Sequence, residues 1–267
     1  MKTLHLKKSG VTLAYDDAGT GIPVVLLHAF PFDRGMWQPQ LAAIPLAGFR
    51  VLAPDFPGFG NSLPGDKPFS IDGASDLVAE FLDSLGIAWA VVGGLSLGGY
   101  VAMAFARRHA GKLIALILAD TRAAPDDEAA REGRDKMIAI VKTDGPNTVA
   151  VTMLPKVLCE ETRTGNHPAK DLAESIAIRQ SEAGVIAVLL ALRDRPDAAP
   201  ELANITVPTL VLVGEHDELT PPLNAARLAG SIRDSELHHI PKAGHLSNIE
   251  NPDAFNAAVI GFLKKLK

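Results

Sequence analysis

Residues 91 to 102 read VVGGLSLGGYVA, and the four glycines around Ser96 (Gly93, Gly94, Gly98 and Gly99) constrain the fold of this chain more than any other stretch. A glycine inside a strand or helix costs roughly 0.5 to 1 kcal/mol relative to alanine, so four together require a steric cause. The surrounding residues 86 to 106, GIAWAVVGGLSLGGYVAMAFA, carry no charge and are long enough to span a bilayer. A membrane helix nevertheless fits them poorly. Val91 and Val92 end a β-branched run, the glycines interrupt it, and Arg107 and Arg108 close an amphipathic helical pattern. The segment reads as strand, tight turn and helix, with two backbones so close beside the central side chain that only very small residues fit.

Gly94-Leu95-Ser96-Leu97-Gly98 is GxSxG, the pattern of a nucleophile elbow. It predicts Ser96 on a strained turn, with its hydroxyl above the sheet and a helix starting directly beneath. The orphan N–H groups and positive dipole end of that helix favour negative charge. The backbone amide of Leu97 is therefore placed to receive an oxyanion on a substrate attacked by Ser96.

Strand-length apolar runs recur at Val24 to Leu27, Val51 to Ala53, Ala90 to Val92, Ile114 to Leu118 and Leu210 to Val213. Helical patterns such as Ala74 to Leu85 and Val101 to Arg108 lie between them. That alternation predicts an α/β fold: a mostly parallel twisted sheet with helices on both faces. The N-terminal LHLKKSGVTLAYDDAG alternates instead, and its Ser9-Gly10 turn predicts an antiparallel hairpin at the sheet edge. From Arg122 to Pro200 no β-branched run appears, and DGPN (144 to 147) and RTGNHP (163 to 168) separate helix-like stretches. The expected organisation is a core of residues 1–121 and 201–267 with a small helical cap insertion at 122–200. Leaving from a strand end, such an insertion would roof the crevice where parallel α/β sheets bind ligands, and specificity should live there.

The 267 residues suffice for one large domain or one domain with an insertion. With 26 basic and 31 acidic residues the formal net charge is −5, and no basic run exceeds two residues, so a nucleic-acid partner is not expected. Lys2, Lys7 and Lys8 are not followed by an apolar segment, so no secretory signal is visible and no membrane partner is expected. The single cysteine, Cys159, suits a reducing cytoplasm and reads as a buried small hydrophobe within the insertion. The chain holds no HExxH, paired cysteines or phosphate loop, so neither a metal nor an organic cofactor is expected.

A serine hydroxyl needs a base to take its proton and an acid to hold that base in the right tautomer. Of eight histidines, His5 lies in the hairpin, His109 ends a helix, His167 sits in a turn of the insertion, and His238 and His239 lie in or beside a strand. His216 flanks an acid candidate. His245 stands apart: PKAGHLSN places it in a glycine-bearing loop after the last strand, Leu237 to Ile240, and before the final helix, where catalytic groups concentrate. For the acid, LVLVGEHDELTPP puts Asp217 after a strong strand with Glu215 and Glu218 beside it, and Asp120 after LIALILA is its rival. Asp217 is favoured, although capping the next turn is the commoner fate of an aspartate at either place.

LLHAFPFD, APDFPGFGNS, GGLSLGG, VGEHDELTPP and AGHLSNIENP, in this order, resemble the α/β-hydrolase superfamily over the whole chain outside the insertion. HLSNIENP, MLPKVL (153 to 158) and the length are similar to the branch holding 3-oxoadipate enol-lactonases and small carboxylesterases. The resemblance implies Ser96 as nucleophile, His245 as general base and then acid, and Asp217 as the residue that orients it. It also implies a second oxyanion donor, the backbone N–H of Phe30, after the pair His28-Ala29. The family has glycine where Ala29 stands. Alanine tolerates positive φ poorly, so either the loop uses φ below zero or the donor is displaced.

The resulting expectation is a serine hydrolase that cleaves carboxylic esters of small, mainly apolar substrates through an acyl-enzyme. Its crevice would be lined by Phe30, Leu97 and insertion residues such as Met153 and Leu154, with Trp37 as a further candidate that serves equally well in the core. An enol-lactonase-like activity is the alternative and would need cations for its substrate's carboxylate, with Arg122, Arg163 and Arg179 available. Cofactor-free perhydrolysis shares the same triad. Epoxide and haloalkane hydrolysis in relatives uses an aspartate at the elbow, which Ser96 argues against. A ligand receptor or inactive scaffold is disfavoured by the intact Ser96, Asp217 and His245 set.

Overall fold

The apolar runs become strands because sheet residues covered on both faces need no polar alternation. In the computed structural model, which describes residues 1–266, eight strands form one sheet. They are β1 (Lys2–His5), β2 (Thr12–Gly19), β3 (Ile22–Leu27), β4 (Phe49–Pro54), β5 (Ala90–Leu95), β6 (Leu113–Ala119), β7 (Thr209–Gly214) and β8 (Ser235–Ile240). Their spatial order is β1-β2-β4-β3-β5-β6-β7-β8, and every pairing from β4 to β8 is parallel. The N-terminal hairpin is antiparallel and at the edge as expected, turning through Gly10 at φ 77°.

Helices α1 (Gln38–Ala43), α2 (Ile71–Ser84) and α3 (Leu97–Arg108) connect the first strands. The helices α2 and α3 begin earlier than their apolar periodicity suggests. Ser70 caps α2 by accepting the N–H of Gly73, and α3 starts directly at the elbow. Between β6 and β7 run only helices: α4 (Glu128–Asp144), α5 (Asn147–Val157), α6 (Glu160–Thr164), α7 (Pro168–Ala177), α8 (Glu182–Arg193) and a 3₁₀ turn at Ala199–Asn204. The chain ends with α9 (Pro222–Ser231), α10 (Ser247–Glu250) and α11 (Pro252–Lys264).

Successive strand residues point to opposite faces, and the core divides accordingly. Val25, Leu27, Val92, Leu116 and Val211 pack with Val78, Phe81, Val101 and Phe105 of α2 and α3. Val24, Leu26, Val91, Ile117 and Leu210 pack on the other face with Trp37 and with Phe255, Val259 and Phe262 of α11. From β3 the chain steps outward to β4 and returns to β5 on the opposite side of β3. The carboxyl ends of β3 and β5, where that reversal falls, are the place at which parallel α/β sheets bind ligands, and Ser96 follows β5 there. Among the described residues no single helix is long and apolar enough to cross a membrane.

Candidate active site

The glycine cluster has a steric explanation at each position that matters. A Cβ on Gly94 would strike the backbone of Gly98, one on Gly98 would strike the carbonyl of Leu27, and one on Gly99 would come within 2.6 Å of the Thr121 side chain. None of the three has positive φ; the residue forced there is Ser96, at φ 55° and ψ −110°. The strained turn is held from β6: the Ser96 N–H donates to the Ala119 carbonyl (2.9 Å), and the Thr121 hydroxyl donates to the Ser96 carbonyl (2.9 Å). The Ser96 side of the elbow remains partly open to solvent, whereas Leu97, the first residue of α3, is buried.

His245 sits in the loop between β8 and α10 and is buried. Its Nδ1 lies 2.9 Å from Oδ2 of Asp217, in the loop after β7. Asp217 is saturated with donors. Its Oδ1 accepts the N–H groups of Leu219 and Thr220, both at 2.9 Å, and its Oδ2 accepts the Thr220 hydroxyl at 2.6 Å. Burial pushes this carboxyl up, but the His245 charge and these hydrogen bonds outweigh it and hold Asp217 below its ordinary value. Burial likewise pulls the imidazole down, yet the charge and hydrogen bond of Asp217 prevail, and His245 titrates above its ordinary value. With Asp217 ionised, the neutral imidazole carries its proton on Nδ1, leaving Nε2 as the acceptor.

Asp120 ends the neighbouring strand at φ 45° and is fully buried. Its Oδ1 accepts the Gly214 N–H (2.8 Å), and its Oδ2 is hydrogen-bonded to the Ser247 hydroxyl. Burial first, and the Asp217 charge second, push Asp120 well above the carboxylate range. The hydrogen bonds of Asp120 go to Gly214 and Ser247, whereas His245 pairs with Asp217, so the hydrogen-bonded acid of the two is Asp217.

The loop after β3 carries His28, Ala29 and Phe30. Burial holds His28 below its ordinary value and therefore neutral. Its Nε2 accepts the Phe56 N–H (2.9 Å), so Nδ1 carries the proton and donates to the Ala29 carbonyl (2.9 Å). Ala29 is absent from the positive-φ residues, so this loop passes alanine with φ below zero. Asp33 finishes the loop. It receives Arg179 on both oxygens (2.8 and 2.6 Å), Gln180 at 2.9 Å and the Gly35 N–H at 2.8 Å.

The helices between β6 and β7 lie against these loops. Gln180 also accepts the Gly60 N–H (3.0 Å), and Ser181 donates to the Gly58 carbonyl (2.6 Å) beside a Gly58–Gly184 contact with no room for a Cβ. Met153 and Leu154 are half-buried on α5, Met153 packing against both faces' clusters. Trp37 differs from its proposed place at the crevice. It is 1% exposed, packs with Phe255 at 6.1 Å between ring centroids, and belongs to the core on the α11 face. Sequence reasoning missed Glu250, which is buried beside the His245 loop and accepts the N–H groups of Gly244 and Cys159. Among the described residues no cluster of three or more His, Cys, Asp or Glu side chains is arranged to hold a metal ion.

Known proteins are similar to this chain over nearly their whole length. A thermophilic esterase from Thermogutta terrifontis is 38% identical, with a TM-score of 0.95 over 100% of this chain and 99% of that one. The enol-lactonase from Burkholderia xenovorans is 29% identical, with a TM-score of 0.89 over 98% of this chain and 100% of its own. The AB hydrolase superfamily protein YisY of Bacillus subtilis is 30% identical over 263 residues, covering 94% of this chain and 95% of the relative. Residues 24–258 match the alpha/beta hydrolase family, and the chain belongs to it.

Proposed function

We propose that the chain is a serine hydrolase of carboxylic esters, acting through Ser96, His245 and Asp217 on small, mainly apolar substrates. The observation that carries this reading is the buried 2.9 Å hydrogen bond between Asp217 and Nδ1 of His245, formed at the same rim of the sheet as the strained serine. It fixes the tautomer whose Nε2 can accept a proton from the nucleophile.

In this reading Ser96 attacks the ester carbonyl while His245 takes the hydroxyl proton. The N–H groups of Leu97, at the start of α3, and of Phe30 receive the oxyanion. His245 then gives its proton to the leaving alcohol. Water, deprotonated by the same imidazole, releases the acid from the acyl-serine. Asp217 stays ionised throughout and stabilises the imidazolium. Residues 122–200 act as the cap, with Met153 and Leu154 as candidate contacts for the acyl or alcohol group.

A neutral substrate is favoured over an enol-lactone bearing a carboxylate because the candidate cations are already engaged. Arg179 is bidentate on Asp33, Arg163 donates to the Pro155 carbonyl (2.8 Å), and Arg122 donates to Asp126 (2.7 Å). The test is hydrolysis of short p-nitrophenyl esters. Ser96→Ala and His245→Ala should each lower kcat by about 10⁵- to 10⁶-fold with the fold intact. Equal turnover by wild type and both variants would overturn the assignment. Preferential turnover of the charged lactone over the neutral ester would replace it with the lactonase reading.

A further inference from the structure

Glu250, the last residue of α10, is 4% exposed. Its two oxygens are divided between two segments. Oε1 accepts the N–H of Gly244 (2.8 Å), the residue immediately before His245, and Oε2 accepts the N–H of Cys159 (2.8 Å), the N-cap of α6. On the other side of His245, the N–H of Leu246 donates to the Val157 carbonyl (3.1 Å). The backbone on both flanks of the imidazole is thus tied to residues 157–159, at the α5–α6 turn. The approach is close: a Cβ on Gly244 would lie 2.7 Å from the Cys159 nitrogen. An ionised carboxylate is an acceptor at both oxygens, which suits two facing N–H donors and no other common side chain of this size.

We propose that Glu250 is a positioning residue for His245: by joining Gly244 to Cys159, it makes the orientation of the base depend on where the α5–α6 segment stands. The proposal rests on the reading of His245 as the general base. Met153 and Leu154 precede the same turn on α5, so a substrate that seats α5 also seats the imidazole. Movement of the turn away from the sheet releases both flanks of His245 together. The charged and titratable groups acting on the imidazole are Asp217 from the β7 loop, Asp120 from the end of β6 and Glu250 from α10. The α5–α6 turn contributes only the Cys159 thiol, which burial pushes up and keeps neutral.

Glu250→Gln tests this directly, because a carboxamide has one acceptor oxygen and must turn its NH₂ toward one of the two N–H groups. We expect kcat on a p-nitrophenyl ester to fall about 10- to 100-fold, the scale of a small misplacement of a catalytic group. KM should change by less than about threefold. The acid limb of kcat/KM should move to lower pH, since a negative charge that favours the imidazolium is gone. Cys159→Pro removes the donor on the α6 side together with the thiol; φ −64° at Cys159 and an extended Leu158 suit the proline backbone, and its Cδ displaces the Glu250 oxygen that the N–H held. It should lower kcat without moving the limb, and more than Cys159→Ala does, since the alanine variant loses the same thiol contacts but keeps the N–H on Glu250.

Melting temperatures and active-site titration with a fluorophosphonate accompany each variant. Wild-type kcat and an unmoved limb in Glu250→Gln would overturn the proposal. A kcat loss explained entirely by fewer titratable serines, again with an unmoved limb, would also overturn it, because the role would then be structural. Inert Ser96→Ala and His245→Ala alongside a wild-type Glu250→Gln would sink this inference alone. Active Ser96→Ala and His245→Ala would sink the reading beneath it.

Discussion

The strands β6 and β7 lie side by side, and each is followed by an aspartate buried near the same imidazole, yet the two carboxyls are pushed in opposite directions from their ordinary value. At the end of β7, Asp217 meets two backbone N–H groups, the Thr220 hydroxyl and His245, and is held ionised. At the end of β6, Asp120 meets one N–H and one hydroxyl, with Asp217 as its charged neighbour, and is pushed well above the carboxylate range, by burial first. Donor count and the sign of the nearest charge decide which carboxylate can serve an imidazolium; burial is common to both. The same logic separates acid from base in other paired-carboxylate sites.

The comparison breaks most visibly on exchange of each acid for its amide. Asp217→Asn should lower kcat on a neutral ester by about 10⁴-fold, because the amide no longer favours the Nδ1–H tautomer or the imidazolium. The acid limb of its residual activity should fall with the His245 value, since the largest contribution that raises it is removed. If Asp120→Asn instead produced the larger loss, the two roles would be exchanged.

The hydroxyl partners sharpen the contrast on a smaller scale. Thr220→Val removes a charge-assisted donor to Asp217, a group whose hydrogen bonds contribute about 1.5 to 3 kcal/mol, and should lower kcat roughly tenfold or more. Ser247→Ala removes the partner of a neutral acid. It should cost about 1 to 3 kcal/mol of stability through the unpaired carboxyl, seen as a melting temperature lower by a few degrees, with little change in kcat.

The elbow was legible in the sequence because its steric demand is local: Gly94, Gly98 and Gly99 touch Gly98, Leu27 and Thr121 within one strand–turn–helix unit and its neighbours. The parallel sheet was legible because its strands are buried on both faces and therefore read as unbroken apolar runs. The acid was less so. The order Ser, Asp, His holds for Ser96 and His245 with either Asp120 or Asp217 between them, and what separates the two is the set of donors each meets, including Gly214 and Ser247 from distant segments. Glu250 was invisible for the same reason, since its partner Cys159 is 91 residues away. Trp37 carried no periodic signal to distinguish a crevice wall from the core, and only packing against Phe255 decides it. Arg179 could be noted as a spare cation until its 146-residue pairing with Asp33 consumed it.

The smallest predicted effect is the most specific to Asp120. A carboxyl whose folded value lies far above its ordinary 3.8 binds a proton that the unfolded chain releases. Between those two values the native state holds more protons than the unfolded state, so Asp120 makes stability decline as pH rises through that window. The shift at Asp217 has the opposite sign: its contribution is present above 3.8 and is lost only as pH falls through its lowered folded value. Asn at 120 keeps an oxygen for the Gly214 N–H, while the Ser247 hydroxyl, which donates to Oδ2 of Asp120, turns to accept from the Asn NH₂, so the site stays paired and uncharged. Asp120→Asn should therefore leave kcat within about threefold of wild type, since it preserves the uncharged pairing. Its melting temperature relative to wild type should climb as pH rises above about 3.8, because only the wild type has a carboxyl there whose ionisation the fold opposes. A constant difference across this range would mean that Asp120 is already ionised in the folded protein, and the distinction between the two strand ends would be lost.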